Sequence, residues 1–162
     1  MATTKGVLSQ GTHVWILHGA VPVLTRILCV KSIGWGDDST TDIDNTCLDE
    51  TDVKTSENGL ATPGEGNFVI NTDPKNATHM TLLQAATNKE VVGVYVGWSD
   101  GTSAPTLSNG EVVLPEDRTW SYATAQLRKN SAVFDPDALV NHTVPFKRQT
   151  EVIDAFKTVV PQ

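Results

Sequence analysis

EVVGVYVGW, residues Glu90 to Trp98, decides the fold class. Val92, Val94 and Val96 fall on one side, and Val91, Gly93, Tyr95 and Gly97 on the other, which is the two-residue repeat of a strand. The valines are β-branched, stiff at χ1, and fit a pleated surface. Ser99-Asp100-Gly101 ends the run with turn chemistry. One apolar strand face needs a covering layer, so the rest of the chain must supply further strands or a helix.

On the N-terminal side, Asp73-Pro74 reads as a helix start, because Asp accepts bonds from free amides and Pro suits the first turn. Ala77, Met80, Leu83 and Thr87, with Ala86 beside them, recur at helical spacing, and Asn88 and Lys89 end the run. The spacing predicts a helix over 74–87. Upstream, NFVINT (Asn67–Thr72) and THVWILH (Thr12–His18) read as strands, the second with an ambiguous face assignment. VLTRILCVKSI, Val23 to Ile33, reads as one strand that can pair with THVWILH across the turn Gly19–Pro22. Cys29 within it is expected to be a buried thiol.

On the C-terminal side, a polar stretch TSAPTLSNG leads to EVVLP, and TWSYATAQLRK (Thr119–Lys129) alternates as a strand. VNHTVPFKRQT (Val140–Thr150) reads as the last long strand, with Pro145 pointing to an edge position or a bend. EVIDAFKTVV is a short helix or strand. About six strands and one helix predict a mainly β protein: a β-sandwich or barrel with one flanking α-helix, in a single domain spanning 1–162. Residues 1–11 read as an N-terminal arm.

Hydrophobic residues make up 39% of the 162 and charged residues 19%, as in a globular domain. The formal net charge of −7 argues against a basic nucleic-acid-binding face. The first residues lack the apolar run of a signal peptide and no stretch approaches a membrane span, so synthesis without export by a cleaved signal is expected.

The unusual segment is 36–66, a long polar insert after the second strand. Nine carboxylates between Asp37 and Glu65 accompany one cation, Lys54. Asn58-Gly59 and Pro63-Gly64 are turn signals, and residues 41–48 alternate loosely, so an extended ribbon and a coil are equally compatible. Asp42-x-Asp44-x-Thr46 resembles the start of a calcium loop, but the required glycine position holds Cys47 and the bidentate glutamate position holds Val53. His13, His18, His79 and His142 lack metal-ligand spacing. There is no Gly-x-Ser-x-Gly elbow, and the Gly34-x-Gly36 and Gly64-x-Gly66 pairs lack the context of a phosphate cradle. No cofactor, metal or catalytic set emerges, and a non-enzyme is expected.

Like charges disfavour collapse of the insert on its own, whereas pairing with other copies would order it. Asp42, Asp44, Asp49, Glu50, Asp52 and Glu57, with Lys54, are therefore candidate assembly residues. Lys5, Arg26, Lys31, Arg128, Lys129, Lys147 and Arg148 are candidate partner cations on other copies. Trp15, Trp35, Trp98 and Trp120 are candidate core or interface anchors. Deleting residues 39–58 is expected to leave a folded chain that no longer assembles.

VWILHGAVPVLTRILCVKSIGWG, the acidic CLDETDVKTSENGLATPG, GNFVI, DPKNATHMTLLQAA, EVVGVYVGWSDG and the TWSYATAQLRKNSAVFDPDALVNHTVPFKRQTEV ending occur in that order. Their order and spacing resemble the major tail tube protein of long, non-contractile-tailed bacteriophages, over nearly the whole chain. The resemblance implies a virion protein, assembled in the host cytoplasm, that forms stacked hexameric rings around a tape-measure protein. Inner strands would fuse into one barrel, and genomic DNA would later pass through a negatively charged lumen without sequence-specific binding. Tail terminator and tail-tip proteins are the implied further partners. The insert 36–66, the arm 1–11 and the C-terminal segment 151–162 are implied to touch neighbouring copies. A terminator, a head–tail joining protein and the tube subunit of a contractile tail are the alternative readings.

Overall fold

The structure, a computed structural model, describes residues 6–158. Its elements are β1 (His13–His18), β2 (Val23–Ile27), β3 (Val30–Gly34), β4 (Ser39–Asp44), β5 (Ser56–Thr62), β6 (Glu65–Asn71), α1 (Ala77–Thr87), β7 (Val91–Gly97), β8 (Thr106–Ser108), β9 (Glu111–Val113), β10 (Trp120–Leu127), β11 (Asn141–Arg148) and β12 (Ile153–Ala155). The main sheet runs β2-β1-β7-β10-β11-β6-β3, with β12 also on β10. All the pairings are antiparallel. Val92, Val94 and Val96 are buried as their alternation requires. They share one core with Val14 and Ile16 of β1 and with Phe68 and Ile70 of β6. The sheet is therefore rolled, with both halves facing a common interior that Leu82, Ala85 and Ala86 of α1 close.

β1 and β2 form the expected hairpin, in register from Val14↔Ile27 to His18↔Val23. The single strand Val23–Ile33 is corrected to two strands. β2 lies at one end of the sheet and β3 at the other, so the chain must turn a corner between them. Cys29 makes the turn at φ 55°, and its thiol is exposed rather than buried. The corner is pinned by α1. Leu28 N–H donates to Thr78 Oγ1 at 3.2 Å, and His79 Nε2 lies 2.6 Å from the Leu28 carbonyl. His79 Nδ1 accepts from the Asp73 amide at 3.2 Å, which fixes the Nε2–H tautomer.

The helix starts later than Asp73-Pro74 predicts. Asn76 is the N-cap, its Oδ1 taking the Thr78 amide at 3.0 Å, while Asp73 caps the preceding turn through the Lys75 amide at 2.9 Å. The buried face is His79, Leu82, Ala85 and Ala86, and Met80 is exposed. Apolar periodicity missed this face because a fully satisfied histidine occupies one of its positions.

Both faces of β1 are covered, which is why its pattern is ambiguous. Val14 and Ile16 enter the core, while Trp15 is 6% exposed on the other side, against Trp120 at 5.2 Å between ring centroids. Residues 98–119, including the small β8–β9 hairpin with its Asn109-Gly110 turn at positive φ, contribute to that second side.

β12 continues β11 along β10, but with two extra residues. Ala125 pairs with Arg148 and Tyr122 with Ile153, so the intervening residues bulge away from the ladder. Pro145 lies on an interior strand, in register with Asn67 of β6, and not at an edge. Its carbonyl accepts the Arg128 amide at 2.8 Å, just past the end of β10. The return bond that proline cannot make falls where the β10 ladder stops.

Candidate assembly surfaces

The insert forms a hairpin that pairs only with itself. β4 and β5 run from Ser39↔Thr62 to Asp44↔Ser56, with a bulge between Thr40 and Asp42. The expectation that neighbouring copies are needed to give the ribbon its shape is corrected: local bonds close it. Thr46 Oγ1 donates to the Thr55 carbonyl at 3.1 Å and takes the Thr55 amide at 2.9 Å. Asp44 Oδ1 takes the Thr46 amide at 2.9 Å, Glu50 Oε1 the Asp52 amide at 3.1 Å, and Asn45 reaches Glu57 at 3.0 Å. Short polar side chains that bond their own backbone stabilise such turns. The Asp44 carboxyl is held below its usual range by Thr46, through its side chain first and its amide second.

Every residue of β4 is exposed. Asp42, Asp49, Glu50, Asp52, Lys54 and Glu57 are likewise exposed. So are the apolar Ile43, Leu48, Val53 and Leu60. No member of the hairpin belongs to the core cluster.

Where the hairpin leaves the body, its two strands form a glycine neck. A Cβ on Gly36, which has φ 73°, would stand 1.9 Å from the Glu65 carbonyl oxygen. One on Gly64 would stand 2.1 Å from the Asp37 oxygen, and one on Gly66 2.1 Å from the Gly34 oxygen. The backbones touch with no side chain between them.

Arg148 clamps this neck. It is 2% exposed, donates from Nε to the Trp35 carbonyl at 2.8 Å and from Nη2 to Gly36 at 3.2 Å, and pairs with Asp38. Its own amide donates to the Gly64 carbonyl at 3.2 Å. Arg148 is thus spent within its own chain, contrary to the expectation that it pairs with other copies. The Asp38 carboxyl is held below its usual range by the Arg148 bond first and the Gly64 amide second. A carboxyl lowered on folding contributes stability above its ordinary value of 3.8, and that contribution is lost as pH falls through the lowered value.

An Arg148→Gln substitution is therefore expected to speed amide exchange at Gly64, whose N–H is held by Asp38, at least tenfold while α1 keeps its protection. In the parent protein the same loosening appears only at pH below about 4. Unchanged neck exchange in the variant, measured by mass spectrometry, contradicts the clamp.

Arg128 pairs with Glu65 of its own chain at 3.5 Å, half-exposed. Arg26, Lys31, Lys129 and Lys147 are exposed and form no ion pair among the described residues. Lys5 lies outside the described residues. Trp15 and Trp120 are core residues at 6% and 1% exposure. Trp35 packs partly buried on the core beside Phe146, and Trp98 meets Phe156 edge-on.

Arg118 is the residue the sequence reading missed. At 1% exposure it donates to the carbonyls of Trp98 (2.6 Å), Gly97 (2.9 Å), Ser103 (2.9 Å) and Gly11 (3.3 Å). Its guanidinium also lies 5.5 Å and 5.3 Å from the Trp15 and Trp120 rings. Burial pushes its pKa down, and Asp100 pushes it back up. His13 is lowered as well, by burial first and then by Arg26 and Arg118, so its Nδ1 is free to accept from Arg118 Nη2 at 3.2 Å. The available signals were Gly97 and Gly101, where a Cβ would meet Arg118 at 2.7 and 2.8 Å.

A groove of about 740 Å³ opens beside the neck. Ile33, Trp35, Val96 and Trp98 give it an apolar floor, and Asp37, Glu151 and Asp154 an acidic rim. Among the described residues no helix is long and apolar enough to cross a membrane.

Residues 5–158 match the family described as phage tail tube, lambda-like. The chain belongs to the phage tail tube family. It is 36% identical over 149 residues to structural protein 3 of Pseudomonas phage PAJU2, covering 89% of this chain and 90% of that protein. The fold is similar to the SPP1 tail tube subunit, with a TM-score of 0.63 at 6% identity over 93% of this chain and 80% of the other. It is also similar to a chain of the sheath/tube terminator of the PVC extracellular contractile injection system, with a TM-score of 0.62 at 10% identity over 94% and 99%. This tail tube protein is a structural component of the virion, and its family points to a non-catalytic role. The mainly β fold and the family agree with the sequence reading.

Proposed function

We propose that this tail tube protein forms hexameric rings that stack into a hollow tube around a tape-measure protein, with the β4–β5 hairpin reaching the adjacent ring. The observation that carries this is the hairpin itself: an exposed arm with apolar side chains, on a clamped neck, contributing nothing to its own core. An arm built this way has a use only outside its own body. Its acids have exposed candidates on a neighbouring copy in Arg26, Lys31, Lys129 and Lys147. Tail terminator and tail-tip proteins are the partners at the two ends of such a tube.

With a net charge of −7, a wall built of this subunit repels phosphates rather than gaining affinity by neutralising them. DNA would therefore pass without sticking and without sequence-specific contacts. The similarity to a terminator chain supports a second reading, a ring that stops after one layer. Negative-stain imaging of the concentrated protein separates the two. Long tubes of constant diameter are expected; isolated rings support the terminator reading, and a monodisperse monomer removes both.

A further inference from the structure

The described residues begin at Gly6, and the next three, Val7, Leu8 and Ser9, already line the groove. This stretch is tied to the body. The Ser99 hydroxyl donates to the Leu8 carbonyl, the Thr12 amide to the Ser9 carbonyl at 3.3 Å, and Arg118 Nη2 to the Gly11 carbonyl at 3.3 Å. Val7 and Leu8 are nevertheless exposed. Of the carboxylates lining the groove, Asp38 is matched by Arg148. Asp37, Glu151 and Asp154 form no ion pair among the described residues.

We propose that the groove seats residues 1–5 of its own chain, with Lys5 against Asp37, Glu151 and Asp154. Charge and tether both select this occupant. Residues 1–36 contain no Asp or Glu, so the arm brings a cation and no carboxylate to the rim. Other segments with exposed apolar side chains fit less well. The hairpin tip offers Leu48 and Val53 among Asp49, Glu50 and Asp52, and the 128–140 segment offers Phe134 beside Asp135 and Asp137. Either would set like charges against the rim. The turn Gly19–Pro22 exposes Val21 but carries no charge. The tether decides between one copy and its neighbour. Five residues reach up to about 17 Å, and a cube of 740 Å³ has an edge of only about 9 Å. A segment so short, anchored at the groove, meets it at an effective concentration on the order of millimolar, which the arm of a second copy would have to exceed. Seated there, the arm shields the indoles of Trp35 and Trp98 and offsets part of the rim's charge. The contact lies within one subunit and is independent of ring formation.

The test is zero-length carbodiimide coupling of the full chain, dilute enough to stay monomeric, in a mixture of isotope-labelled and unlabelled protein. Mass spectrometry is expected to find Lys5 joined to Asp37, Glu151 or Asp154 about tenfold more often than to Asp49, Glu50 or Asp52, in pairs of one isotope only. Lys5→Glu abolishes the link, and Glu151→Lys in the same chain is expected to restore one between the two positions. In Lys5→Glu alone, acrylamide is expected to quench the tryptophan emission about twofold more strongly, since Trp35 and Trp98 line the groove while Trp15 and Trp120 stay buried. Mixed-isotope links mean that the arm of a second copy fills the groove, and they overturn the assignment. Links spread evenly over the carboxylates, an absence of links, or unchanged quenching in Lys5→Glu overturn it too.

Discussion

Replacing Ser39–Thr62 with a two-residue Gly-Ser link is expected to abolish tube formation and leave the body folded. Ser39 and Thr62 are register partners, so the new ends lie about 5 Å apart and a short link closes them without strain. The hairpin bonds to itself and lies outside the core cluster, so its removal is expected to change unfolding free energy by no more than about 1 kcal/mol. The structure moves the boundary of the cut. Removing only 39–58 would leave Gly59–Thr62 as half a hairpin with unpaired backbone, whereas a cut after Asp38 and before Pro63 keeps the whole Arg148 clamp. Thermal melting by circular dichroism checks the body, and electron microscopy checks assembly. Tubes of ordinary length from the shortened chain would sink the assembly role of the arm.

Arg118→Met is expected to cost about 4 kcal/mol and lower Tm by roughly 10 °C. Methionine fills part of the volume between the two indoles, but it leaves the carbonyls of Gly97, Trp98 and Ser103 without their donor in a buried site. Each such orphan costs about 1–3 kcal/mol. Arg118→Lys is expected to recover less than half of the loss. An ammonium cannot present a planar fork to several carbonyls while lying against two rings. A drop in Tm under about 2 °C for the methionine variant, at unchanged unfolding cooperativity, would show that the cage is dispensable.

The regular parts of the molecule were legible because local pattern and tertiary role coincide there. Residues 91–97 alternate and are buried on the valine side, and the Thr12–His18 and Val23 runs do pair as a hairpin. Legibility failed where one residue's environment is set by a distant part of the chain. Cys29 sits in an apolar run, yet the chain must there pass from one end of the sheet to the other, and the corner puts the thiol outside. His79 reads as a polar interruption of a helix face, but it is the side chain that bonds both Asp73 and Leu28. Arg118 and Arg148 read as ordinary surface cations among acidic and polar neighbours. Each proves to be a buried donor to carbonyls, many of them about 20 to 110 residues away in sequence. No spacing rule encodes such a cage, since its acceptors are backbone and carry no residue identity.

The insert was legible as an unusual segment and misread in its physics. Its charge density suggested a chain that only neighbours can shape. Its Asp44, Thr46 and Glu50 side chains instead satisfy nearby amides and carbonyls, which offsets the cost of extending a like-charged strand pair.

The bare-backbone crossing at Gly36 and Gly64 bears on how quickly subunits could add to a growing polymer. A protrusion joined through a floppy tether samples many angles, and docking must then give up that freedom. Here the exit direction is fixed by peptide planes in van der Waals contact, so an incoming copy meets a protrusion already aimed. Elongation would be limited by diffusion and orientation of whole subunits, and a bulkier residue at either glycine, meeting backbone oxygen at 1.9 or 2.1 Å, would loosen the neck as well as slow growth.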